Sequence, residues 1–134
     1  MEFENASMKI LIVDDNEIDL ELLEAILKHI GFQNIIKSER SIEAMRLARE
    51  HQPDLFIIDI IMPEMTGGEL RERLRDNSTT RGIPVIFISG IISREEEKKL
   101  GGRLASGDLI IAKPLSRDKI AAAIDSVLTK SSKL

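Results

Sequence analysis

Five short aliphatic runs divide the chain, each separated from the next by a polar segment with helical periodicity. Lys9 to Val13, Asn34 to Lys37, Leu55 to Ile58, Val85 to Ile88 and Leu109 to Ala112 read as strands. Lys9 to Val13 is a continuous β-branched and Leu run, as expected of a strand covered on both faces. After it, Ile18, Leu22, Ile26 and Ile30 recur every four residues, with Leu23 and Ala25 widening the stripe, which predicts an amphipathic helix. Asn16 suits the cap at its start, and Gly31 the left-handed position past its end. A second helix is expected from Ser41, its cap, to about Glu50, with Ile42, Met45 and Ala48 inward and Pro53 stopping it. Glu69 to Arg75 predicts a short charged helix after a loop containing Pro63, Gly67 and Gly68. Ser93 caps a polar helix, and a last one runs from about Ser116 to Leu128 with Ile120, Ile124, Val127 and Leu128 on one face.

Strands spaced by helices along the whole chain imply βαβ units and a parallel sheet with helices on both sides. Right-handed crossovers leave few arrangements. Five β/α pairs suggest an α/β fold of the flavodoxin-like (βα)5 type, a doubly wound parallel sheet in the order 2-1-3-4-5. Residues 1–7 lack periodicity and read as a disordered leader or tag, 8–130 form one domain, and 131–134 are a disordered tail.

That order has a chemical consequence. Asp14 and Asp15 end the first strand and Asp59 ends the third, and these strands are neighbours, so three carboxylates meet at the carboxyl edge of the sheet. Strands four and five bring Ser89 and Lys113 to the same edge, where open α/β sheets bind ligands.

Composition narrows the function. A chain of 134 residues fits one domain with a proper core, and with four Phe and no Tyr or Trp, Ile and Leu must fill it. A net charge of −4 gives no support for direct nucleic-acid binding. The absence of cysteine excludes disulfides, thiolate nucleophiles and Cys-based zinc sites. No apolar stretch approaches membrane-spanning length, so membrane insertion is not expected and the location is expected to be cytoplasmic.

Close carboxylates repel, and three acids with one Lys leave an excess of negative charge. Hard oxygen donors at this density suit Mg²⁺, which takes one or two carboxylates together with water and phosphate oxygens. Such a site can draw in a phosphoryl group and let one carboxylate attack phosphorus, with Ser89 and Lys113 placed to hold the oxygens. Each residue also has a plain reading. An acidic pair can simply favour a helix N-terminus, Ser89 is an ordinary strand-end residue, and Lys before Pro is usually a turn. His29 and His51 sit near helix ends and are assigned no chemistry, and Glu95 to Lys99 is most simply a solvated helix face. Only the combination at one edge raises these residues above their plain readings.

The ordered set Asp14-Asp15, Asp59, Ser89-Gly90 and Lys113-Pro114 resembles the receiver domain of bacterial two-component response regulators. So does Asp59-Ile60-Ile61-Met62-Pro63-Glu64-Met65-Thr66-Gly67, which follows that family's Asp-x-x-Met-Pro-x-Met-x-Gly pattern. The resemblance covers Met8 to about Lys130. It implies that Asp59 is the phosphoacceptor and that Asp15 and Asp59 bind Mg²⁺ directly. Asp14 would act mainly through a water, and the backbone carbonyl of Ile61 would complete the metal site. Ser89 would be the switch hydroxyl, with Gly90 leaving it room. Lys113 would pair with a phosphoryl oxygen, across a cis Lys113-Pro114 bond. Expected partners are a sensor histidine kinase or histidine phosphotransfer protein, and a downstream protein or an output domain not included here. The resemblance further implies a monomer or a phosphorylation-dependent dimer. Such a chain is a regulator that assists its own phosphorylation and dephosphorylation, and not chiefly an enzyme.

The family usually places Tyr or Phe three residues before the Lys, and Ile110 stands there. Signalling is then expected through the Ser89 loop and the following helix. Ile61 and Ile91, two residues beyond the acceptor and the hydroxyl, are expected to limit water at phosphorus by their bulk. One rival is a phosphorylation-independent scaffold with the same fold, supported by Ile110. A second is a phosphohydrolase with an Asp nucleophile, which would want an acid where Ile61 stands. Flavin binding is disfavoured, because acids at the first strand's end would repel a phosphate.

Overall fold

The computed structural model of the chain describes residues 7–104 and 106–131, so the leader and tail expected at the two ends lie almost wholly outside the described residues. Strands and helices alternate without exception. They are β1 (Lys9–Val13), α1 (Glu17–Ile30), β2 (Asn34–Ser38), α2 (Ser41–His51), β3 (Leu55–Asp59), α3 (Gly67–Asp76), β4 (Val85–Ser89), α4 (Arg94–Lys99), β5 (Leu109–Ala112) and α5 (Arg117–Ser131). All strand pairs are parallel and the order is β2-β1-β3-β4-β5, the flavodoxin-like arrangement.

Period-two alternation divides the aliphatic runs between two layers. Ile10, Ile12, Leu55, Ile57, Ile86, Ile88 and Ile111 face α1 and α5, whose Leu23, Leu27, Ile120 and Ile124 close that side. Leu11, Val13, Phe56, Ile58, Val85, Phe87 and Ile110 face the other way, onto Ala44 and Ala48 of α2 and Leu70 and Leu74 of α3. Each fully buried Leu, Ile or Phe contributes about 1.5–3 kcal/mol relative to exposure. The inner strands β1, β3 and β4 are buried at every position after Lys9, which is why they read as unbroken apolar runs.

Two helical faces differ from the sequence expectation. In α1 the buried positions are Leu20, Leu23, Leu27 and Ile30, whereas Ile18, Leu22 and Ala25 are exposed and Ile26 is half-buried. Aliphatic residues surround most of this helix, so two stripes fit a helical period, and docking on β1 selects one. In α2, Ser41 is the first helical residue and not the cap. Its buried hydroxyl donates to the Met65 carbonyl at 2.8 Å, and Arg40 takes the cap position without a side-chain bond. Ile42 consequently points to solvent, and Ala44 faces the sheet in its place.

α3 begins earlier than its charged residues suggest, under a reciprocal Thr66–Glu69 cap. Gly67 opens it in a tight place: its N–H donates to the Ile60 carbonyl at 2.8 Å. A Cβ here would lie 2.5 Å from the Asp59 carbonyl oxygen and 2.9 Å from the Ile60 Cα. Only glycine lets the helix approach the backbone of Asp59 this closely. Gly67→Ala is therefore expected to lower unfolding stability by about 1–3 kcal/mol in urea titration. At Gly68 the nearest atom to an added Cβ is Thr66 Oγ1 at 3.8 Å, so Gly68→Ala is expected to be close to neutral. Equal effects of the two substitutions would contradict this account.

Candidate functional site

At the carboxyl edge of the sheet, one local device recurs at four strand ends. A polar side chain accepts the backbone N–H of the residue two further on, which turns the chain away from the sheet. Asp14 Oδ1 accepts from Asn16 at 3.0 Å, Ser38 Oγ from Arg40 at 3.3 Å, Asp59 Oδ1 from Ile61 at 2.9 Å and Ser89 Oγ from Ile91 at 3.2 Å. The turns end the strands on polar side chains, and the adjacency of β1 and β3 brings two of them, Asp14 and Asp59, together.

Asp14 and Asp59 are buried, with 1 % and 5 % of their surface exposed. Oxygens of Asp14, Asp15 and Asp59 lie within 4.8 Å of one another, and Asp15 is the exposed member of the three. Lys113, from the end of β5, reaches into this group. Its ammonium donates to Asp14 Oδ2 at 3.0 Å, to Asp59 Oδ2 at 3.0 Å and to Asp19 Oδ2 at 2.8 Å. The Lys113–Pro114 peptide bond is cis. Gly90 leaves open the space beside the Lys113 stem, whose Cδ would lie 3.7 Å from a Cβ at that position.

One ammonium does not neutralise this site. Burial pushes the Asp14 carboxyl up to about 6, against the opposing effects of the Asn16 N–H and Lys113, and the nearby Asp59 charge adds to the rise. For Lys113, burial alone would lower the ammonium, but its bonds to Asp19, Asp59 and Asp14 prevail and hold it well above its ordinary value. Buried hard-oxygen donors with excess negative charge, and one exposed carboxylate at the entrance, fit a small divalent cation such as Mg²⁺.

The other expected residues fall in distinct places. Ser89 is fully buried at the end of β4, and Ile61 and Ile91 are exposed on the loops that follow β3 and β4. Ile110 is buried on the face of the sheet that packs α2 and α3, among residues that include Phe87, with Ile92 and Leu104 against the same cluster. Asp19 is the residue the sequence reading missed. It stands in the first turn of α1, where acid is favoured by the helix dipole alone. The available signal is directional: helical side chains lean toward the N-terminus, so an acid one turn in points back at the strand end.

Residues 10–125 match the model of the response regulator receiver domain family. The chain is 34% identical over 119 residues to the polar-differentiation response regulator DivK of Brucella anthropi, covering 89% of this chain and 94% of that protein. Among solved structures it is similar to a response regulator from Desulfuromonas acetoxidans, with 34% identity, a TM-score of 0.76 and coverage of 91% and 97% of the two chains. It is likewise similar to the signal receiver domain of a signal transduction histidine kinase from Syntrophus aciditrophicus. That match has 29% identity, a TM-score of 0.77 and coverage of 96% and 95%.

The raised Asp14 carboxyl links the site to stability. An acid whose affinity for protons rises on folding stabilises the fold when protonated and opposes it when ionised. The unfavourable contribution is absent below pH 3.8, grows as the pH climbs to about 6, and is constant above. In metal-free buffer at pH 7.5, Asp14→Asn is expected to stabilise the protein by on the order of 1–3 kcal/mol. Thermal unfolding checks this, and the gain is expected to vanish near pH 4; destabilisation at pH 7.5 would overturn it.

Proposed function

This chain belongs to the response regulator receiver domain family, and from that premise we propose that it is a Mg²⁺-dependent switch phosphorylated on Asp59 by a histidine kinase or phosphotransfer protein. The observation that carries the reading is the buried Asp59 carboxylate, grouped with Asp14 and Asp15 and bonded to Lys113. An Asp59 oxygen attacks the phosphorus of a donor phosphohistidine as the P–N bond breaks. The donor imidazole, protonated on its other ring nitrogen, leaves as a neutral ring with the electron pair of that bond. Asp14, Asp15, Asp59 and the backbone carbonyl of Ile61 are the groups that would hold Mg²⁺. When bound, the ion supplies positive charge for the phosphoryl oxygens. Lys113 donates to one of those oxygens in place of its bond to Asp59.

Signal leaves through Ser89. Its hydroxyl oxygen now accepts from the Ile91 N–H, and turning to the phosphoryl group releases the loop that leads to Ser93, the cap of α4. This helix of six residues buries none of them. Glu97 fastens it by accepting from the N–H of Ala112, the residue before Lys113, and from Lys119 of α5. A shift of this loop therefore acts on a loosely held helix. Ile110 is already inside the core, so the inward swing that an aromatic residue makes in the family has no counterpart. The same residue favours a second reading, a scaffold that binds its partner regardless of phosphate.

Incubation with Mg²⁺ and acetyl phosphate is expected to add the mass of one phosphoryl group, and Asp59→Asn is expected to abolish the gain. A wild-type chain that takes up nothing would favour the scaffold. Ile61 and Ile91 flank the acceptor's edge, and their bulk is proposed to limit water at phosphorus. Ile61→Asn and Ile91→Ser are expected to speed phosphate release severalfold, followed as decay of the phosphorylated mass; unchanged decay would remove that role.

A further inference from the structure

We infer that Asp19 is a positioning residue that competes with the phosphoryl group for the ammonium of Lys113. This inference rests on the phosphoacceptor reading and adds to it a residue outside the family motif.

An ammonium has three donors. All three are engaged here, by Asp14, Asp19 and Asp59. A phosphoryl oxygen on Asp59 must therefore take a donor already in use. The three carboxylates are not equivalent in this exchange. Asp14 and Asp59 each hold a backbone N–H as well, and both belong to the group of oxygens that converges as a cation site. Asp19 lies outside that group, so a cation seated there compensates Asp14, Asp15 and Asp59 but leaves Asp19 to Lys113. The Asp19 contact is also the shortest of the three, at 2.8 Å, although its side chain is one-third exposed.

Two effects then act in the same direction. Asp19 keeps a claim on one Lys113 donor, and its negative charge stands one ammonium away from the incoming phosphoryl oxygens. Loss of that charge frees the donor and removes the repulsion. Lys113 does not lose its aim, because Asp14 still accepts from it at 3.0 Å. The plainer account, an acid favoured by the N-terminus of α1, explains a preference for negative charge but not a direct bond to Lys113, 94 residues away.

The test measures the affinity of beryllofluoride, a phosphoryl mimic, at saturating Mg²⁺ by calorimetric titration. Asp19→Asn and Asp19→Ser are expected to bind it about three- to tenfold more tightly than wild type, the size of a partly exposed charge interaction. Asp19→Glu, which keeps the charge, is expected to restore the wild-type value. In metal-free protein, the ¹⁵Nζ signal of Lys113 is expected to shift in the neutral variants and to stay near wild type in Asp19→Glu. Urea midpoints establish that each variant is folded. Neutral variants that bind no tighter, or an Asp19→Glu that behaves like them, would overturn the inference while leaving the phosphoacceptor reading intact. A wild-type chain that binds no beryllofluoride with Mg²⁺ would remove both.

Discussion

The ion cluster around Lys113 is the constraint on which the rest of the structure depends. Its three carboxylates come from the ends of β1 and β3 and from the first turn of α1, and the ammonium comes from the end of β5. Burying Asp14 and Asp59 without a cation would cost several kcal/mol per charge, so the fold must bring Lys113 to them. The pairing is incomplete, since three acids share one ammonium. That shortfall of positive charge is what lets the edge fit a small divalent cation. At Asp14, the ionised carboxylate that would bind a cation is the form burial disfavours.

The surrounding architecture serves to hold this arrangement at the rim. Two layers of aliphatic packing fix β1 beside β3, and side-chain-to-backbone turns end the strands so that polar groups face the same opening. Gly67 brings α3 against the backbone of Asp59 from below. Packing sets the positions and the turns set the directions. Neither alone would place carboxylate oxygens within reach of one ion.

The loop after β4 and the helix α4 are held by weaker interactions. The bond of the Ser89 hydroxyl to Ile91 is modest, and α4 has no buried side chain to resist movement. Glu97 ties that helix to Ala112, one residue from Lys113, so α4 and the ammonium of the site share an anchor. Ile110 is buried in the core, while Glu97 fastens α4 to the end of β5.

The sequence by itself determined the sheet, its strand order and the meeting of Asp14, Asp15, Asp59 and Lys113 at one edge. Strands covered on both faces must be apolar throughout, and charge at their ends is conspicuous. It also carried the acceptor pattern from Asp59 to Gly67. Contacts that depend on the relative placement of distant surfaces were decided only by tertiary structure. Which aliphatic stripe of α1 is buried, and why Ile42 faces water while Ser41 is buried, follow from how each helix meets the sheet. Asp19 is the clearest case. In sequence it is one more acid at the start of a helix, and its bond to Lys113 exists because a strand at the far end of the chain finishes opposite α1. Periodicity reports what each segment must bury, whereas a charge on a helix surface acquires its partner only when the fold closes around it.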